Sequence, residues 1–86
     1  MGNVSVLVVE DENIVAKDIQ QSLLKMGYKV IGTASSGEKA KEILKENQPD
    51  IILMDIMLKG NMSGIDTAEY VKDIYDLPVI FLTAYA

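Results

Sequence analysis

Strands alternating with helices in the order βαβαβαβ predict an α/β domain whose parallel sheet is covered on both faces. Three observations carry that expectation. Short runs dense in apolar and β-branched residues recur at residues 4–9 (VSVLVV), 28–34 (YKVIGTA), 50–55 (DIILMD) and 79–83 (VIFLT). Between them, apolar residues return at intervals of three and four, the spacing of one helix face. Helix start and stop signals stand at the joints between the two patterns.

The run 4–9 is almost continuously apolar, as a central parallel strand is. It ends in three acids, Glu10, Asp11 and Glu12. Val15, Ile19, Leu23 and Met26 then mark the inward face of a first helix, with Gly27 placed as its C′ residue and Lys25 in its last turn. The second strand is more polar and carries Gly32, which places it at a sheet edge. Ser35-Ser36-Gly37-Glu38 reads as a capping box with Ser35 at N-cap and Glu38 at N3. The helix it opens buries Ala40, Ile43 and Leu44 and stops near Asn47, before Pro49. In the third strand, Ile51-Ile52-Leu53-Met54 is expected to be buried on both faces, and Asp55 ends it. The loop 56–62 takes its turn from Gly60 and Asn61. Ser63-Gly64-Ile65-Asp66 is a second capping box, and Ile65, Ala68, Val71 and Ile74 predict the buried face of a third helix. Leu77-Pro78 breaks that helix, and a fourth buried strand follows.

Composition narrows the function. The chain has 86 residues, room for one small domain. Its formal charge of −5 speaks against nucleic acid and anionic membrane as direct partners. There is no Cys and no His, so thiolate sites, disulfides and the commonest general base are excluded. No signal peptide or membrane span is read, and a cytoplasmic location is expected. Neither G-x-G-x-x-G nor G-x-x-x-x-G-K-[ST] occurs, and the first βα turn carries acids instead of glycines, which disfavours dinucleotide and FMN binding. Met54, Met57 and Met62 read as core and loop filler.

The candidate chemistry sits at strand exits. In a sheet ordered 2-1-3-4, Glu10 and Asp11, Asp55, and Thr83 converge on the carboxyl edge, where open α/β sheets collect their ligands. Taken singly, each has a plainer reading: Asp11 as a helix cap, Asp55 as a solvated loop acid, Thr83 as a strand-end residue. Taken together, the acids need a cation among them. An all-oxygen set suits Mg²⁺, which completes its shell with water and phosphate oxygens. Phosphoryl transfer is then the expected reaction class, with Asp55 as candidate nucleophile and Thr83 as hydroxyl donor.

The segments Val6-Leu7-Val8-Val9-Glu10-Asp11-Glu12, Ile51-Ile52-Leu53-Met54-Asp55-Ile56-Met57-Leu58 and Val79-Ile80-Phe81-Leu82-Thr83-Ala84 resemble the receiver domain of two-component response regulators. The resemblance covers essentially the whole chain and implies a flavodoxin-like sheet in the order 2-1-3-4. It implies that Asp55 is the phosphoacceptor, supplied by a histidine kinase or phosphotransfer protein. It further implies that Asp11 binds Mg²⁺ directly, Glu10 by way of water, and Met57 through its backbone carbonyl. Thr83 is then the switch hydroxyl, and the Ala84 amide binds a phosphoryl oxygen. Such a domain is not an enzyme toward outside substrates, beyond catalysing its own phosphorylation and hydrolysis.

The sequence departs from the family pattern in three ways. The loop after Asp55 lacks the usual Met-Pro pair and is one residue longer. Met57 is apolar where a polar side chain would orient water toward an acyl phosphate. The family's fifth strand, its last helices and its phosphoryl-pairing lysine have no counterpart in residues 1–86, and Lys59 lies in the wrong loop to be that lysine. Residues 1–86 are therefore expected to be an incomplete receiver, either the ordered part of a longer protein or a truncated chain that associates through the apolar edge of the fourth strand. An interaction-only receiver that takes no phosphate is the alternative reading. A Mg²⁺-dependent aspartyl phosphatase is a further one, disfavoured because Met57 stands where that class resembles a second Asp.

Overall fold

A computed structural model describes residues 3–82. Four strands and three helices alternate along it: β1 Ser5–Val9, α1 Asn13–Lys25, β2 Lys29–Ala34, α2 Gly37–Glu46, β3 Ile51–Asp55, α3 Gly64–Tyr75 and β4 Val79–Leu82. The strands form one parallel sheet in the order β2-β1-β3-β4. β1 is central, and Val6 to Val9 are buried because neighbours and helices cover both of its faces. Its odd residues, Leu7 and Val9, join Ile52, Met54, Ala40, Leu44 and Val71 in the larger core beneath α2 and α3. Its even residues, Val6 and Val8, pack with Leu23 beneath α1. This alternation is the period of two expected of a strand.

Several joints match the sequence. β2 is an edge strand, and its register against β1 slips between Val6 and Leu7, so that Leu7 faces Gly32. Gly27 ends α1 with φ +92°, the left-handed backbone that glycine adopts without a Cβ penalty. Ser63 caps α3 in a reciprocal box with Asp66. One contact was not anticipated: the Ser5 amide and hydroxyl both donate to Asp50 Oδ2, at 2.8 and 3.1 Å, while the Asp50 amide donates to Ser5 Oγ. These bonds tie the start of β1 to the start of β3.

Other expectations need correction. The N-cap of α2 is Ser36, whose hydroxyl accepts from the Lys39 amide at 3.1 Å, so the helix starts one residue later than a Ser35–Glu38 box requires. On α1, Leu23 and Ala16 are buried, whereas Val15 and Met26 are exposed. On α3 the buried stripe is Gly64, Thr67 and Val71, while Ile65 and Ile74 lie exposed. Thr67 enters the core because its hydroxyl donates to the Ser63 carbonyl at 2.8 Å, which removes the cost of burying it unpaired. Ile51 and Leu53 are half-buried rather than enclosed. The fourth strand is not buried either: Ile80 is 50% and Phe81 38% exposed, because β4 ends the sheet and pairs with β3 alone among the described residues.

Candidate functional site

The sheet register brings the acids together. Val9 pairs with Met54, so the next residue of each chain path, Glu10 and Asp55, leaves the sheet side by side. The Glu10 amide donates to the Ala34 carbonyl at 2.9 Å, which extends the ladder to the last ordered position before the turn. Asp55 in turn lies opposite Leu82. One carboxylate oxygen each from Glu10, Asp11 and Asp55 lies within 4.8 Å of the others. They line a cleft of about 410 Å³ together with Glu12, Val15, Ile19, Met57, Lys59 and Leu82.

Each acid is held by its surroundings. Glu10 is buried, 7% exposed, and its Oε2 accepts from the Glu12 amide at 3.1 Å. Its carboxyl is pushed up to about 7, first by burial and then by the adjacent Asp11 and Asp55. A buried acid beside two others gives up its proton reluctantly unless positive charge arrives. Asp11 does not cap α1. The N-cap is Glu12, without a side-chain cap bond, and Asp11 Oδ2 instead accepts from the Lys59 amide across the cleft at 3.2 Å. Asp55 Oδ1 accepts from the Met57 amide at 3.0 Å, a local turn that aims the carboxylate out of the sheet edge.

The β3–α3 loop is anchored rather than loose. Leu58 is buried in the larger core, which draws the loop inward and carries Lys59 over the acids. Met57 is 74% exposed and lines the cleft, so it is not the filler its composition suggested. Gly64 packs so tightly beneath the site that a Cβ there would strike the Asp55 carbonyl and approach Ile56 Cα to 2.8 Å. Lys59, which the sequence places only in the wrong loop for the family's lysine, and Gly64, which it places only within a capping box, both border the site; the glycine at the first helical position is the signal for the second. Thr83 and Ala84 lie outside the described residues.

The donor set fits a hard divalent ion. It is all oxygen, and it gathers three carboxylates at one point, where burial and then its acidic neighbours raise the Glu10 carboxyl to about 7. A larger cleft of about 750 Å³, lined by apolar residues such as Ile65, Leu77, Val79 and Phe81 and by Glu69, Lys72 and Asp76, shares no residue with this site. Among the described residues, no helix is long and apolar enough to cross a membrane.

Comparison with known proteins gives concordant results. A family profile described as "Response regulator receiver domain" matches residues 6–86. The transcriptional regulatory protein YvrH of Bacillus subtilis is 39% identical over 98% of the chain, which spans 35% of that protein. The signal receiver domain of a modulated diguanylate cyclase from Desulfovibrio desulfuricans superposes with a TM-score of 0.90 at 38% identity, covering 94% of this chain and 65% of that one. PhyR of Bartonella quintana, crystallised with the anti-sigma factor NepR, gives 0.87 at 36% identity, over 98% of this chain and 35% of that one. The chain thus spans about a third of the regulators it matches and about two thirds of the isolated receiver.

Proposed function

Since the chain belongs to the response regulator receiver domain family, we propose that it is a phosphoacceptor switch in which Asp55 takes a phosphoryl group from a phosphohistidine of a kinase or phosphotransfer protein. One observation carries the reading: the Glu10, Asp11 and Asp55 oxygens meet within 4.8 Å at one sheet edge. In the proposed step an Asp55 oxygen attacks phosphorus in line as the P–N bond breaks. The electron pair leaves on the imidazole nitrogen, which takes a proton from solvent. The product is an acyl phosphate on Asp55.

Asp11 and Asp55 would hold Mg²⁺ directly, with Glu10 by way of water and Met57 through its backbone carbonyl. Bound there, Mg²⁺ supplies positive charge to the transferring phosphoryl oxygens. The protein's own part is positional. The Met57 amide fixes the Asp55 carboxylate, and the Lys59 amide fixes Asp11. Thr83 and Ala84 are proposed to contact phosphoryl oxygens through hydroxyl and amide. The apolar Met57 side chain offers nothing to orient an attacking water, which favours a long-lived acyl phosphate.

The domain is proposed to act on no outside substrate, since Met57 stands two residues beyond Asp55, where an aspartyl phosphatase carries the second Asp that protonates its leaving group. Its partners are proposed to be proteins. The likeness to PhyR, crystallised with NepR, and the net charge of −5 support that over nucleic acid or membrane. A cytoplasmic location accords with a kinase as phosphodonor.

The test is incubation with Mg²⁺ and acetyl phosphate, followed by intact mass. Addition of one phosphoryl group that disappears in Asp55→Asn supports the reading. A folded protein that takes none supports the interaction-only alternative.

A further inference from the structure

The β3–α3 loop delivers a cation to a cleft otherwise lined by acids and apolar residues. Among the described residues, Lys59 is the single basic residue lining it, against Glu10, Asp11, Glu12 and Asp55. Its position is fixed from two sides. Leu58 before it is buried in the core, and its own amide is bonded to Asp11 Oδ2. Its side chain is exposed, and among the described residues its ammonium makes no ion pair with a carboxylate. The backbone that carries the charge is therefore fixed beside the acids, and the ammonium is left without a carboxylate partner among the described residues.

Two ligands of opposite sign must use this cleft if the proposed function holds, and the inference rests on that reading. A divalent cation is attracted by the acids and repelled by Lys59. A phosphodonor is repelled by the acids: with Asp11 and Asp55 ionised, one Mg²⁺ only cancels their two charges, so an arriving dianion meets no net attraction from that set. We propose that Lys59 is an electrostatic selector at the cleft mouth: it weakens resting affinity for the divalent ion and strengthens capture of the anionic phosphodonor. It is a positioning and specificity residue, acting through charge, while its amide separately orients Asp11.

The side chain can be removed without disturbing that amide, so Lys59→Ala isolates the charge. Mg²⁺ affinity is measured by NMR titration. Phosphorylation by subsaturating acetyl phosphate at saturating Mg²⁺ is followed by intact mass. The expected result is a pair of opposite changes: Mg²⁺ binding several-fold tighter, roughly three- to tenfold, and donor capture slower by a similar factor. Lys59→Arg should keep both values near wild type, and added salt should shrink the difference between wild type and Lys59→Ala. Both parameters falling together, or neither moving, overturns the assignment, since a merely structural residue would lower both or leave both alone. If wild type takes no phosphoryl group although Mg²⁺ binds, the proposed function fails, and the sign of the Mg²⁺ change in Lys59→Ala still decides the role of the charge.

Discussion

Replacing Gly64 with alanine adds one methyl group at the first position of α3, and the structure says where it must go. The added Cβ would strike the Asp55 carbonyl and lie 2.8 Å from Ile56 Cα and 2.9 Å from the Ile56 carbonyl. All three are backbone atoms, so no rotamer change relieves the contact. Overpacking of this kind costs about 1–3 kcal/mol. Alanine recovers at most about 1 kcal/mol through helix propensity. The net expectation is about 1–2 kcal/mol of destabilisation in urea with an unchanged m-value. The relief must come from the peptide carrying Asp55, so Mg²⁺ affinity should fall as well. Gly27→Ala is the control. Gly27 has φ +92° and open space around its Cβ direction, so alanine there costs about 1 kcal/mol of backbone strain without touching the acids. Gly64→Ala that keeps wild-type stability and Mg²⁺ affinity would refute the claim that the α3 N-terminus buttresses the site.

Further outcomes follow from particular contacts. Without divalent ions, Glu10 holds a proton in the folded state up to about 7, against an ordinary 4.5; its contribution to stability is therefore fully present below about 4.5 and is lost as pH rises through about 7, by up to about 3 kcal/mol. Urea titrations across that range should show the loss, and both Glu10→Gln and saturating Mg²⁺ should flatten it. Ser36→Ala should cost about 0.5–2 kcal/mol, because it removes the α2 cap, and Ser35→Ala should cost little, as thermal melts of the pair would show. The half-exposed Ile80 and Phe81 on β4, which pairs with β3 alone among the described residues, predict concentration-dependent association; Ile80→Lys should reduce it in sedimentation, and a monomer at all concentrations would count against the edge.

The parts of the fold readable in the sequence are those set by local pattern. β1 and β3 announce themselves because Val6–Val9 and Ile51–Met54 are apolar at every position, and Glu10 and Asp55 follow directly at their exits. Strand alternation then places both exits on one edge without further information. What was misread depends on partners distant in sequence. Apolar spacing phases the α3 stripe on Ile65, Ala68, Val71 and Ile74; Val71 is buried as expected, but Gly64 and Thr67 share its face in place of Ile65 and Ile74, one for its size and the other for its satisfied hydroxyl. Local spacing leaves Asp11 the plainer reading of a helix cap beside that of a metal ligand, and what decides against the cap is the Lys59 amide, 48 residues away, which holds its carboxylate. Nothing local to Lys59 signals that bond; it exists because Leu58 is drawn into a core built by other strands. Ser36 displaced Ser35 as a cap by one position, a choice that spacing alone leaves open.

The convergence of the acids is tested most directly by paramagnetic relaxation with Mn²⁺ standing in for Mg²⁺. Amide signals of Glu10, Asp11, Asp55 and Met57 should broaden first and together, at substoichiometric ion, and Asp11→Asn should abolish the effect at those levels. Broadening centred elsewhere on the molecule, or unchanged by Asp11→Asn, would contradict the account.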